Sequence, residues 1–305
     1  MTKTTTNLIG IIIVILAGIY FYVMYCSECN AENQKEAAVE SEMVKPTVPE
    51  ATSYPFSFSD GDFAYNLKDN FNFNVSSASF LEPLSQNVKD AIVPGLKNFL
   101  TENANKVINI VGLYKNDEKN PTAFPNLGFA RANAVKNYFI SQEISSDQIN
   151  IDGKLMPDMV AEGKIFLGPV GYSLGEKSAT LEEEMSALLQ KIMADPLVLY
   201  FDTGEATINL NASQRQKVAD ISRYLDKVKG ARCDVIGDTD NVGKRRDNIR
   251  LGQERADFIK SYLANNGIAA TKIKADSKGP RDPIASNDTE EGRAKNRRTV
   301  VTLNN

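Results

Sequence analysis

Two stretches of this 305-residue chain carry the same landmarks in the same order, which limits the fold to one that can be built twice. Val107-Ile108-Asn109-Ile110-Val111-Gly112 parallels Cys233-Asp234-Val235-Ile236-Gly237, an apolar run closed by glycine. Leu127-Gly128-Phe129-Ala130-Arg131-Ala132 parallels Leu251-Gly252-Gln253-Glu254-Arg255-Ala256. Phe73-Asn74 parallels Phe201-Asp202, and Phe80 and Ile208 each follow seven residues after the phenylalanine. The offsets, 124 to 128 residues, suit a duplicated domain rather than a solenoid repeat.

Each unit reads as strand, helix, strand, helix, strand, short segment, strand. In the second copy Leu197 to Phe201 is an apolar strand bounded by Pro196. Val218, Ile221, Leu225 and Val228 fall at helical spacing on one face. A strand ends at Gly237, and a second helix runs from about Asn248 to Ala264, with Gly267 as its stop. Lys272 to Ala275 begins a further strand, Asp288 or Thr289 caps a short helix, and Thr299 to Leu303 closes the unit. Alternating strands and helices predict an α/β (α+β) class: a mixed sheet covered by helices, in βαβαβ order, occurring twice. The expected organisation is a first domain over 61–175, a connecting helix over 176–194 marked by Leu181, Met185, Leu188, Leu189 and Ile192, and a second domain over 195–305.

Ahead of these lies an uncharged stretch between Lys3 and Glu28. Leu8 to Tyr25, as a helix, would span roughly 27 Å, close to the hydrocarbon thickness of a bilayer. Residues 1–7 are therefore expected in the cytoplasm and 8–26 as a transmembrane helix in the lipid bilayer, with Tyr20, Tyr22 and Tyr25 at the far interface. The rest of the chain is then exported to the periplasm. A cleaved signal peptide is the competing reading, since Cys29-Asn30-Ala31 resembles a small-residue cleavage site, and it leaves the product periplasmic or associated with the outer membrane. Residues 27–60, rich in Glu, Ala, Ser, Thr and Pro, read as a flexible linker.

Absences narrow the chemistry. The chain has no histidine, which removes every Ser-His, Cys-His and His-metal arrangement. It has no tryptophan, and a net charge of −4 gives no footprint for nucleic acid. Cys26 and Cys29 form a C-x-x-C with no second pair to complete a zinc site; small boundary residues or a disulfide are both open readings. Cys233 reads as a buried strand residue. No metal, cofactor or enzyme is expected.

Leu251, Arg255, Ile259 and Tyr262 share one helical face, so Arg255 sits among core-facing neighbours and needs an anionic partner from the protein or from a ligand. The loop feeding that helix, Asp238-Thr239-Asp240-Asn241-Val242-Gly243, places carboxylates at a strand end, where open sheets hold ligands. An Asp and an Arg facing one cleft suit a zwitterion, the Arg gripping a carboxylate and the Asp accepting from an ammonium; an internal salt bridge is the equal alternative.

Gly237-Asp238-Thr239-Asp240-Asn241-Val242-Gly243, then Asn248-Ile249-Arg250-Leu251-Gly252, then Arg255-Ala256, resembles the signature G-H-T-D-x-x-G…N-x-x-L-S-x-x-R-A of the OmpA family's C-terminal domain. Gly279, Pro283, Asn287, Thr289, Gly292-Arg293 and Asn296-Arg297-Arg298 match its tail, and Phe201-Asp202 its opening. The resemblance covers roughly 195 to 303 and implies peptidoglycan binding, with Asp240 and Arg255 holding the diaminopimelate of a stem peptide. It places Asn248 in the same site and, as lesser contributors, Thr239 and Asp202. The chain departs from the pattern at Asp238 (usually His), Gly252 (usually Ser) and Thr299 (commonly Val), and Asp238 adds negative charge at the cleft mouth. Arg293, Arg297 and Arg298 are expected to be structural, pairing with carboxylates.

In the first copy Lys115 stands for Asp240, Phe124 for Asn248 and Glu118 for Gly243, while Arg131 remains. A degenerate OmpA-like domain without wall binding is expected there, serving as a spacer, a homodimer contact or a dock for another envelope protein. The leading function is a non-enzymatic tether between membrane and cell wall. The alternatives are a scaffold of a secretion or motility machine, or a stator-like, ion-driven channel subunit. Against the last, the apolar helix carries no ionisable group.

Overall fold

A computed structural model describes residues 13–22, 50–61, 63–202 and 209–304. The chain divides into two compact units, Met1–Pro49 and Glu50–Asn305. In the first, residues 13–22 are helical and their apolar side chains are exposed. The expected span over 8–26 extends past this helix at both ends, and the remainder, with Cys26 and Cys29, lies outside the described residues. Among the described residues no helix is long and apolar enough to cross a membrane.

The second unit begins earlier than its composition implies. Phe56–Asp60 (β1) and Phe63–Leu67 (β2) form an antiparallel hairpin, so the expected linker does not reach residue 60. The reason is period two: Phe56 and Phe58 alternate with serines, and both are buried. The Phe56 ring stacks on Tyr172 with centroids 3.8 Å apart. Upstream, Thr52 and Tyr54 already donate backbone hydrogen bonds to Val160 and Leu167.

Two sheets follow, each covered by helices. Lys106–Tyr114 (β4) pairs in parallel with Ile149–Leu155 (β5) and antiparallel with Val170–Glu176 (β7), giving the order β5-β4-β7. The helices Val93–Glu102 (α1) and Leu127–Ser141 (α2) belong to this half. In the other half Arg232–Asp238 (β9) pairs in parallel with Ile273–Gly279 (β10) and antiparallel with Arg298–Asn304 (β11), which continues to Leu197–Tyr200 (β8). Its order is β10-β9-β11-β8. Three strands of each half thus share directions and order. The fourth does not: Phe73–Asn74 (β3), the counterpart of β8, pairs with Ile165–Phe166 (β6) instead of with β7.

Both halves bring a strand and a helix together through glycine. A Cβ built on Gly112 would lie 1.9 Å from the Gly128 carbonyl oxygen, and one on Gly237 would lie 1.9 Å from that of Gly252. No other residue fits where backbones approach so closely.

Ala212–Lys227 (α4) opens with a capping box between Asn211 and Gln214 and buries Val218, Ile221 and Leu225. Arg245–Asn265 (α5) begins three residues ahead of the expected start and ends before Gly267, whose φ of +92° is the left-handed turn that glycine takes readily. The connecting helix is Leu181–Ala194 (α3), which packs on α4 and β11 of the second half. Thr289, not Asp288, caps Glu290–Asn296 (α6) by accepting from the Gly292 amide.

The halves share a core. Ala123, Phe124, Leu127 and Ala130 belong to the same buried cluster as Val218, Val235, Ile259 and Val301. Polar links accompany them: Asn133 donates to the Asn266 carbonyl, and the buried Lys136 pairs with Asp226 at 2.5 Å. Cys233 is buried with a free thiol, its pKa pushed up to about 12 by burial.

Candidate functional site

The loop between β9 and α5 is folded by its own side chains. Thr239 donates its hydroxyl to the Asp240 carbonyl at 2.9 Å and its amide to Gly279 at 3.0 Å. One oxygen of the Asp240 carboxylate accepts from the Val242 amide at 3.0 Å. Asn248, buried in the first turns of α5, ties the loop down by donating to the carbonyls of Asp240 and Val242. Asn248 and Thr239 therefore shape the loop that presents Asp240.

Arg255 lies about two turns further along α5 and is fully buried. Its guanidinium sits 4.9 Å from the centroid of the Phe201 ring and donates to the Asp202 carbonyl at 3.1 Å. Asp202 thus meets Arg255 through its backbone, with its side chain toward solvent. Burial holds the Arg255 pKa below its ordinary value, Arg297 nearby adds to that depression, and Asp240 opposes it.

The direct Asp240–Arg255 salt bridge, one of the two readings of the sequence, is not the pair that forms. The second oxygen of Asp240 accepts from Arg297 at 3.0 Å, not from Arg255. Arg297 also grips Glu290 at 2.7 Å, so this arginine bridges the loop to α6. Its place at the boundary of α6 and β11, 57 residues from Asp240, explains why spacing within α5 could not reveal it. Next to it Arg298 pairs with the buried Asp238 at 3.2 Å. Burial raises the Asp238 pKa to about 6, against the opposing charges of Arg298 and Lys278 and with help from Asp282. The structural role expected of these arginines is seen in both pairs, and in Arg293, which donates to the Asn287 carbonyl. A cleft of about 850 Å³ adjoins the site, walled by Tyr200, Phe201, Asp202, Glu291, Lys295 and Arg297.

Chemically, this is a rigid acid and a buried guanidinium at a strand end beside an open cleft. The OmpA family model matches residues 200–297, which include Asp202, Asp240, Asn248, Arg255 and Arg297. This segment is thus similar to the OmpA family. The probable lipoprotein YiaD of Escherichia coli is 34% identical over 144 residues, 45% of this chain and 65% of the relative. The peptidoglycan-binding protein ArfA of Mycobacterium tuberculosis is 42% identical over 87 residues, 28% of this chain and 27% of the relative. Outer membrane protein A of Bordetella avium is 34% identical over 104 residues, and the chain spans 53% of its length. The chain thus spans less than two thirds of each of these relatives. Among solved structures, the peptidoglycan-associated lipoprotein from Burkholderia pseudomallei aligns with 37% of this chain and 92% of its own, at 25% identity and a TM-score of 0.33.

The first half also buries an arginine on a helix. Arg131 on α2 is fully buried, lies 5.5 Å from the Phe73 ring and donates to the Asn74 carbonyl at 3.4 Å. These are the positions aligned with Arg255, Phe201 and Asp202. Lys115, which replaces Asp240 in the alignment, is partly exposed and lies 3.8 Å from Asp117.

Proposed function

We propose that this chain is a non-enzymatic cell-envelope protein whose residues 195–305 bind peptidoglycan noncovalently, through the diaminopimelate of a stem peptide. The observation that carries the reading is the fully buried Arg255 beside the Asp240 loop, within the OmpA-family match. A zwitterionic amino acid suits this pair. Its carboxylate takes the planar fork of Arg255 and relieves the repulsion between Arg255 and Arg297. Its ammonium is accepted by Asp240, whose carboxylate oxygens each carry two lone pairs and are held in place by Val242 and Arg297. The peptidoglycan-binding name of the relative ArfA supports the same ligand class.

The first half is a diverged copy of the same unit. Support comes from the matched order β5-β4-β7 and β10-β9-β11, the two glycine crossings, and the Arg131/Phe73/Asn74 arrangement. Lys115 in place of an acid would repel a ligand ammonium, so wall binding belongs to the second half. The apolar stretch at 8–26 then anchors the protein in a membrane, making it a tether between membrane and wall.

Calorimetric titration of the full chain with a diaminopimelate-containing stem peptide tests this reading. One binding event per chain is expected, lost in Arg255→Ala and not restored by Arg255→Lys, since a point ammonium cannot reproduce the fork. A lysine-containing peptide of otherwise identical sequence should bind more weakly. Equal binding of both peptides would contradict the assigned ligand.

A further inference from the structure

In the first half the loop after β4 turns a glutamate inward. Glu118 lies in a wholly buried pocket, its side chain 1% exposed, against the equally buried Arg131. Its two oxygens accept four hydrogen bonds. One takes the Ser76 amide at 2.9 Å and Nη2 of Arg131 at 2.5 Å; the other takes the Lys115 amide at 2.9 Å and Nη1 of Arg131 at 3.1 Å. The guanidinium is equally complete. Its Nε donates to the Ser77 carbonyl, Nη1 also to Leu113 and Nη2 also to Asn74, so all five N–H groups are placed. Phe73 and Phe166 lie 5.5 and 5.3 Å from it.

Backbone amides from two separate segments and a bidentate arginine converge here on a single carboxylate. Together they give the carboxylate the full set of donors that burial demands, although a buried pair is often no more stabilising than apolar residues of the same volume. Glu118 reaches the pocket from the loop position aligned with Gly243 of the second half, where no side chain intrudes. We propose that this pocket is a carboxylate-binding site closed by its own chain: Glu118 is a tethered ligand, and the ligand class is a small free carboxylate or the carboxylate of an amino acid. The native first half is therefore shut to outside carboxylates, and removal of one side chain opens it.

The test uses the full chain and acetate as the probe, which keeps it independent of wall binding. Thermal unfolding of Glu118→Gly is followed in sodium acetate and in sodium chloride at equal ionic strength, together with a titration of carbon-13-labelled acetate. A saturable, acetate-specific rise in Tm and a bound acetate signal are expected for Glu118→Gly. Neither is expected for the wild type, nor for Glu118→Gln, whose amide still fills the pocket. Should Glu118→Gly fail to fold in chloride, recovery of folded protein in acetate is the expected result. No acetate-specific effect in Glu118→Gly, failure to fold in both salts, or the same effect in all three proteins overturns the proposal.

Discussion

Asp240 looks from the sequence like the partner of Arg255, and in the structure it is bonded to Arg297. The loop position of Asp240 was legible, because the apolar run of β9 ends at the glycine just ahead of it. The partner was not, because Arg297 lies 57 residues along the chain, just ahead of the strand β11 that pairs with β9. The consequence is measurable in stability. Asp240→Ala leaves Arg297 with Glu290 alone and unties the Val242 turn, at a cost of about 1–3 kcal/mol. A shift of the urea midpoint checks this; an unchanged midpoint would mean that the pair adds nothing. Asp238 supplies a pH signature. Its folded pKa of about 6 lies above the ordinary carboxyl range, so the folded state holds the proton more tightly than the unfolded chain. Its contribution is fully present at low pH, below the unfolded value, and is lost as pH rises through about 6. Urea melts of Asp238→Asn between pH 4 and 7 should show a smaller decline than the wild type over that window.

At the scale of elements, the helices and central strands were legible wherever burial imposes one period. The face of Val218, Ile221 and Leu225 on α4 and the apolar run of β9 are of this kind. The hairpin β1–β2 escaped because prolines and serines lower the local hydrophobicity, although Phe56 and Phe58 carry a strand's alternation. The early start of α5 escaped because Arg245 and Arg246 are exposed and add nothing to a buried face. The paired glycines served in the sequence only as landmarks, and their contacts with the helix became visible in the structure. Gly237→Ala drives a methyl into the Gly252 carbonyl, and strand and helix must separate. A loss of about 1–3 kcal/mol is expected in thermal or urea unfolding. Retention of full stability would mean that the crossing relaxes freely.

For the whole molecule, the strand and helix order of each half was readable and the way the halves pack was not. On sequence alone α2 presents one apolar face, whereas its Asn133 and Lys136 are buried by the second half. Polar side chains at a contact between halves look the same in sequence as polar side chains in water. The shared core predicts one cooperative unfolding transition for Glu50–Asn305, seen by calorimetry, and two separate transitions would show that the halves are independent. The central claim, that the Asp240 and Arg255 cleft holds the chain to the cell wall, is met most directly by co-sedimentation with purified sacculi. The full chain should pellet with sacculi, and an Asp240→Ala/Arg255→Ala variant shown to be folded by circular dichroism should stay in the supernatant. A folded double variant that pellets as completely as the wild type would contradict the account.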